Sequence, residues 1–329
     1  MKAIVFDEPG EAEVLRLAEV DAPRMGDQDL LVRVHASALN RADILQRRGL
    51  YAAGPGASPI LGLELAGEVQ AVGQDVRAFR PGDRIYGLSG GGGYGEWAAI
   101  HEALALPIPD GWSCEYAAAI TEVFYTANEA LRTLANLAAG ERTLIHAGGS
   151  GVGIAAIQIG KEVGAEVLVT TGSDEKCTRA RELGADVAIN YKREDFAKTV
   201  KERTGDEGVD VILDVLGASY WERNLASLNA AGRLVLVGLM GGTKVEANLG
   251  LILSRRLRVI GTAMRSQPLE NRIAITRRYR EWVEPRLING TFRPIIDRVF
   301  PFREAAAAHR YMEANKNFGK IVLDVAGDG

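Results

Sequence analysis

The chain has 329 residues, 47% of them hydrophobic and 25% charged, with a formal net charge of -4. That is enough length and apolar content for two domains with sizeable cores. Basic residues are scattered, clustering only in pairs such as Arg255-Arg256 and Arg277-Arg278, which argues against a nucleic-acid surface. No charged leader followed by an apolar core opens the sequence, and no apolar run reaches the roughly 18 residues of a membrane span. A cytoplasmic protein that binds neither membrane nor nucleic acid is expected.

From residue 2 to about 106 the pattern is β-rich, with strands expected at 2–6, 30–38, 65–72, 83–87 and 96–100 and a turn at Pro81-Gly82-Asp83. The run Gly90-Gly91-Gly92-Gly93 has the composition of a phosphate cradle, but no helix follows it, so it reads as a tight crossing between strands. Helices expected at about 113–119 and 123–134 lead into a strand at Thr143. Apolar runs at 143–147, 166–170, 187–190, 209–214, 234–237 and 258–262 then make six strands with helical segments between most of them. This is the doubly wound α/β pattern. A charged helix at 269–287, a strand at 291–299, a helix at 303–314 and a strand at 320–325 break that rhythm and are expected to return to the β-rich domain. The resulting fold class is α/β, with a second, β-rich domain.

The two cysteines, Cys114 and Cys177, lie far apart, outside any C-x-x-C, and without a nearby histidine. Neither a disulfide framework nor a zinc site is expected from them. His35, His101, His146 and His309 are isolated in apolar or helical surroundings and read as structural.

The most informative segment is Leu144-Ile145-His146-Ala147-Gly148-Gly149-Ser150-Gly151-Val152-Gly153, an apolar strand entering a glycine-packed turn that opens a helix over Gly151–Val163. Bare backbone suits a pyrophosphate, because a Cβ would obstruct it and the helix N-terminus offers amides and a partial positive charge. Gly148 and Gly153 fit the first and third positions of the G-x-G-x-x-G spacing, and Ser150 stands at the second. An NAD site carries Asp or Glu at the end of the next strand, about twenty residues on. Here that stretch reads Thr170-Thr171-Gly172-Ser173. Asp174 comes slightly late and could instead cap the following helix. Ser173, Lys176 and Arg179 supply a hydroxyl and positive charge for a 2′-phosphate, which favours NADPH. A solvated helix face is the other reading of Lys176 and Arg179.

With these residues in view, the chain resembles the zinc-independent quinone oxidoreductases of the medium-chain dehydrogenase/reductase superfamily over essentially its whole length. The likeness is carried by Ala38-Leu39-Asn40-Arg41-Ala42-Asp43, Leu61-Gly62-Leu63-Glu64, Pro81-Gly82-Asp83, the turn at 146–153 and Gly238-Leu239-Met240-Gly241-Gly242. Tyr311-Met312-Glu313-Ala314-Asn315-Lys316-Asn317, together with Ser150, is similar to the tumour-suppressor-inducible quinone oxidoreductase subgroup.

The resemblance implies a GroES-like β-barrel catalytic domain at 1–122 and 265–329, and a Rossmann NADPH-binding domain at 123–264. Zinc-dependent relatives place a cysteine where this chain has Asn40 and a histidine where it has Leu63. Leu63 cannot ligate a metal. The four-cysteine lobe of those relatives is replaced by the short stretch 87–97. Without a Lewis acid, a substrate that accepts hydride unaided is needed. Quinones fit, ortho-quinones especially, since reduction gives a delocalised phenolate; enones such as 2-alkenals are the second choice. The Gly/Pro-rich loop 49–59 is expected to decide between them. A non-catalytic NADPH-binding protein is the third reading.

Carried over residue by residue, Asn40 and Tyr51 are the catalytic candidates and line the nicotinamide end of the cofactor. Asn40 would donate or accept hydrogen bonds there, and Tyr51 would close over the ring, donate to a substrate oxygen, or merely pack. Thr126 is expected near the nicotinamide. Gly149, Ser150, Gly151 and Val152 hold the pyrophosphate, while Gly172, Ser173, Lys176 and Tyr191 surround the adenosine 2′-phosphate. Gly217, Gly238, Leu239, Met240 and Ala263 lie at the ends of later strands, and Asn315 is added from the C-terminal match. No metal is implied. Relatives dimerise through the outer Rossmann strand, here 258–262, so a homodimer is expected.

Overall fold

The computed structural model describes residues 1–51 and 57–328. Residues 52–56, half of the loop assigned to substrate choice, lie outside the described residues. The chain forms two compact units, one of residues 1–122, 265–280 and 294–329, the other of 123–264 and 281–293.

The first unit carries β1 (Lys2–Val5), β2 (Arg16–Glu19), β3 (Asp29–Ala38), α1 (Arg41–Arg47), β4 (Glu64–Val72), β5 (Arg84–Leu88), β6 (Trp97–His101), β7 (Ala105–Pro107) and α2 (Cys114–Ala118). Helix α3 (Thr121–Asn128) follows and runs into a π-helical turn at Glu129–Leu134. The second unit adds β8 (Arg142–Ile145), α4 (Gly151–Val163), β9 (Glu166–Thr171), α5 (Asp174–Glu182), β10 (Val187–Asn190), α6 (Phe196–Thr204), β11 (Val209–Asp214), α7 (Trp221–Ser227), β12 (Leu228–Leu236), α8 (Leu249–Arg255) and β13 (Arg258–Gly261). The chain closes with α9 (Leu269–Ile288), β14 (Ile296–Pro301), α10 (Ala305–Glu313) and β15 (Lys320–Asp324).

In the first unit, β14-β15-β3-β4-β5-β7 form one sheet, and β6 also pairs with β3. The ten residues of β3 alternate sides along much of their length. Leu30, Val32, Val34 and Ala36 are buried, and the first three meet Leu65, Val69, Ile85, Ile100 and Leu323 in one core. The Gly90–Gly93 run crosses from β5 towards β6 with positive φ at Gly90, Gly91 and Gly92, a path that L side chains seldom follow. This is the strand crossing expected from the sequence.

In the second unit the sheet order is β10-β9-β8-β11-β12-β13, all parallel. The order reverses direction between β8 and β11, so the C-terminal ends of these two strands flank the switch point where α/β folds place ligands. The strands are apolar on both faces, as a sheet covered by helices requires: Leu144, Val167, Leu168, Val169, Ile212, Leu213 and Leu234 have no exposed surface.

Two sequence expectations shift at the C-terminal end. The strand expected at 291–299 begins only at Ile296, because Pro294 has no N–H and the residues before it are committed elsewhere. Phe292 stacks on Phe124 with ring centroids 5.8 Å apart and contacts Trp282. Gln158 brackets Arg293, accepting its N–H at 2.9 Å and donating to its carbonyl at 3.0 Å. Hence 281–293, which the sequence reading gives to the first domain, packs with the second unit. The helix α1 and the short strands β2 and β7 were not anticipated. No helix among the described residues is long and apolar enough to cross a membrane.

Candidate active site

The glycine turn after β8 is built as its sequence requires. Ser150 is the N-cap of α4, its Oγ accepting the Gly153 N–H at 3.0 Å. A Cβ on Gly153 would stand 2.3 Å from the Ala147 carbonyl, and one on Gly148 would stand 2.8 Å from the Val169 side chain. Helix and strand therefore approach closely only because these two positions are glycine. Among the described residues, no acceptor takes the N–H of Gly151 or Val152. Two half-buried backbone donors thus stand at the positive end of a 13-residue helix, directly after Gly149 and Ser150. These residues fit a dinucleotide pyrophosphate.

Most of the other positions proposed for the cofactor follow the C-terminal ends of neighbouring parallel strands. After β9, Ser173 caps α5 by accepting the Lys176 N–H at 3.2 Å. A Cβ on Gly172 would lie 2.9 Å from the Tyr191 hydroxyl, so Gly172, Ser173, Lys176 and Tyr191 share one corner of the sheet. Asp174 is not the cap. Its carboxylate is engaged by Asn190 and Arg193, at 2.6 Å each, and Arg179 lies 4.0 Å from Glu175.

After β11, Gly217 has φ +72°, and a Cβ there would strike Leu239, which follows β12. Met240 N–H donates to the Val215 carbonyl at 3.1 Å, locking the two loops together beside Gly238. Leu239 and Met240 remain 46% and 44% exposed, a costly placement for large apolar side chains unless something covers them. Ala263, after β13, is exposed, and Thr126 is buried on α3.

The first unit holds a separate cluster around Asn40. The Lys320 ammonium donates to the Leu39 carbonyl at 2.7 Å, and to Asn40 Oδ1 and Glu64 Oε1 at 2.8 Å each. All three of its protons are used. Glu64 Oε1 also accepts from Asn40 Nδ2 at 2.9 Å, while Oε2 accepts from the Thr121 hydroxyl at 2.9 Å and the Glu122 N–H at 2.8 Å. The second Asn40 amide proton points to the Ala38 carbonyl at 3.3 Å. The sequence reading left Asn40 free to donate or accept. Both its donors are taken, and only an Oδ1 lone pair remains. Asp43 accepts the N–H groups of Asn40 and Gly62 and lies fully buried, which pushes its carboxyl up to about 6. Asn315 is exposed beside this cluster, its Oδ1 accepting from Arg41.

Comparison with known proteins agrees with this architecture. Residues 26–110 match the family described as alcohol dehydrogenase GroES-like domain, and residues 151–278 match the one described as zinc-binding dehydrogenase. The quinone oxidoreductase of Pseudomonas aeruginosa is 35% identical over 98% of this chain and 99% of its own. The chain belongs to the medium-chain dehydrogenase/reductase superfamily. Among solved structures of the superfamily, Escherichia coli quinone oxidoreductase complexed with NADPH superposes with a TM-score of 0.89, at 29% identity, covering 99% of this chain and all of that one. A structure described as an NAD-dependent alcohol dehydrogenase has a TM-score of 0.87 at 33% identity, covering 99% of this chain and 100% of its own.

This member of the superfamily also places Tyr51 against a guanidinium, with Arg265 Cζ 5.6 Å from the ring centroid. Burial pushes the Tyr51 phenol up from its ordinary range, with Arg265 opposing, so the phenol stays protonated at neutral pH and can donate. Lys320, Glu64, Thr121 and Arg265 were not singled out from the sequence. Glu64 stood inside a quoted motif, but its partner lies 256 residues away.

The four histidines take structural partners. His146 sits between Thr170 at 3.0 Å and Asn224 at 2.7 Å, and Asn224 donates in turn to Asp214 at 3.0 Å. His309 lies between Arg47 and Tyr94, while His101 accepts the Ala103 N–H and His35 lies 3.7 Å from Cys114.

Proposed function

We propose that this protein transfers reducing equivalents from NADPH to quinones, ortho-quinones included, without a metal ion. What carries the reading is the corner after β9, where Gly172, Ser173, Lys176 and Tyr191 share one end of the sheet and the carboxylate that follows the strand, Asp174, is held by Asn190 and Arg193. A 2′-phosphate suits that corner; a bare ribose hydroxyl lacks the acidic partner it needs. Gly149, Ser150, Gly151 and Val152 are assigned to the pyrophosphate. Gly217, Gly238, Leu239, Met240 and Ala263 follow the remaining strand ends, and Thr126, Asn40, Tyr51 and Asn315 are assigned to the cofactor on the family resemblance. When bound, the nicotinamide supplies the hydride, and the protein supplies position and a dry surface.

The residues present do not fit a zinc ion at the place where relatives hold one. Leu63 has no donor atom, and the Glu64 carboxylate already accepts four hydrogen bonds. A substrate that carries its own negative charge after reduction is therefore favoured, and quinones do so most readily. Strand β13 pairs with β12 on one side, and among the described residues its other edge is open, with Val259 39% exposed. This supports a homodimer built through that edge.

The test is NADPH oxidation with 9,10-phenanthrenequinone and 1,2-naphthoquinone against a series of 2-alkenals, with and without a chelator. Quinone turnover that chelation leaves unchanged supports the proposal. Turnover of 2-alkenals alone would move the protein to the enone reductases, and NADPH binding without either turnover would make it non-catalytic.

A further inference from the structure

Among the described residues of the first unit, the surroundings of Arg265 leave part of its guanidinium unexplained. The residue is buried, at 9% exposure, yet it forms no ion pair among the described residues. Nε donates to the Gly90 carbonyl at 3.0 Å, and Nη1 donates to Gln46 Oε1 at 2.5 Å. Gln46 cannot turn away, because its own Nε2 is bound to the Pro59 carbonyl at 3.0 Å. The guanidinium plane is thus fixed from two sides. Nη2 is left buried, with two protons and no acceptor among the described residues. Beside it lies the Tyr51 ring. A buried, charged N–H without a partner is costly, and in native structures such groups are few and often mark functional sites.

We propose that the open Nη2 of Arg265, beside Tyr51, is the subsite that takes a quinone oxygen and holds the negative charge left on it by reduction. The inference rests on the quinone reading above. In that step the quinone gains a hydride, two electrons with one proton, as NADPH becomes NADP+, and is left as a hydroquinone monoanion. Solvent supplies the second proton. Arg265 remains a cation throughout and transfers nothing. Its role is that of a preoriented donor aimed at developing charge, the function that a Lewis acid serves where one is present. Rigidity matters here: with Nε and Nη1 held, Nη2 needs no reorganisation when the charge appears. The Tyr51 ring centroid lies 5.6 Å from the same guanidinium carbon, and its phenol, raised by burial, stays protonated at neutral pH.

The probe is 4-nitrocatechol, whose ionised form is coloured, titrated into the protein saturated with NADP+. Binding of the phenolate form is expected in the unmodified protein. Arg265→Met should weaken it roughly tenfold or more, the loss expected for a charge-assisted hydrogen bond, while NADP+ affinity stays within about twofold. Arg265→Lys keeps the charge without the fork and should fall between the two; it also serves if Arg265→Met does not fold. Equal 4-nitrocatechol affinity in all three proteins would overturn the proposal. The two readings fail separately. A protein that binds the phenolate through Arg265 but reduces no quinone loses the activity and keeps the subsite. One that reduces quinones with kcat, KM and phenolate affinity unaffected by Arg265→Met keeps the activity and loses the subsite.

Discussion

Lys320→Met tests whether the Asn40 cluster is held by its buried ion pair. The substitution is close in length and keeps the apolar stem, so the loss falls on the ammonium. Three hydrogen bonds go, at 2.7, 2.8 and 2.8 Å, and Glu64 keeps its charge at 0% exposure with only Asn40, Thr121 and the Glu122 N–H to answer it. Leu39, 1% exposed, loses the donor to its carbonyl. Removing one partner of a buried pair costs about 3–5 kcal/mol, most of it the charge left behind. If that is the cause, neutralising Glu64 in the same chain should return part of the loss. Glu64→Gln in the Lys320→Met background should recover about 2 kcal/mol, a coupling within the range seen for residues in one network. The assay is a double-mutant cycle by urea unfolding, with KM and kcat for 1,2-naphthoquinone measured alongside. A loss under about 1 kcal/mol for Lys320→Met, or losses that simply add, would refute the reasoning.

Lys176→Ala should weaken NADPH far more than NADH in fluorescence titrations, by about tenfold or more if a charge-assisted contact is lost; equal weakening of both would remove the 2′-phosphate assignment. Gly153→Ala places a methyl 2.3 Å from the Ala147 carbonyl, and the backbone shift it forces should cost about 1–3 kcal/mol in urea and loosen binding of NADPH; a variant with unchanged stability and affinity would show that the close approach is dispensable. Asp43→Asn addresses pH. Burial raises Asp43 and Asp214 to about 6, so folding gains a proton at each and both favour the folded state increasingly as pH falls from about 6 towards 3.8. Burial lowers His146 to about 4 and His309 to about 3, so these two oppose folding increasingly as pH falls below 6.5. The four partly cancel, and Asp43→Asn removes one of the offsetting pair. The drop in urea midpoint between pH 7 and pH 4.5 should therefore be larger in the variant than in the parent; an equal or smaller drop would contradict the burial of an ionisable Asp43.

The Rossmann half was legible because its signals are local. A strand of uninterrupted apolar residues, a turn in which Gly148 and Gly153 admit close packing, and a Ser that caps the next helix all fall within ten residues of one another. Each of the later strands ends in a loop whose positions follow from the same alternation, so Gly172, Gly217 and Gly238 fall on one edge of one sheet. Even Asp174 was read at the right place and given the wrong partner. Whether it caps α5 or pairs with Arg193 depends on a loop after β10 that local pattern does not position. The misplaced 281–293 segment has a similar cause. Its charged helix carries no sign that Trp282 lies between Arg132 and Arg286, or that Phe292 seeks Phe124.

The first unit's cluster was illegible for a stronger reason. Lys320 reads as the opening residue of an edge-like strand, and lysine at such a position is ordinarily solvated. Only the antiparallel pairing of β15 with β3 brings it to Asn40, and only β4 brings Glu64 beside both. The same holds for Arg265, a single charge following the apolar Ala263-Met264. Both cations are withdrawn from water, but they differ in what compensates them. Lys320 has every proton answered, which makes it a fastener for Asn40. Arg265 has one nitrogen unanswered in a guanidinium that cannot move to relieve it. A satisfied buried charge explains a fold. An unsatisfied one among the described residues, held next to Tyr51, is where the proposed quinone oxygen would find its donor.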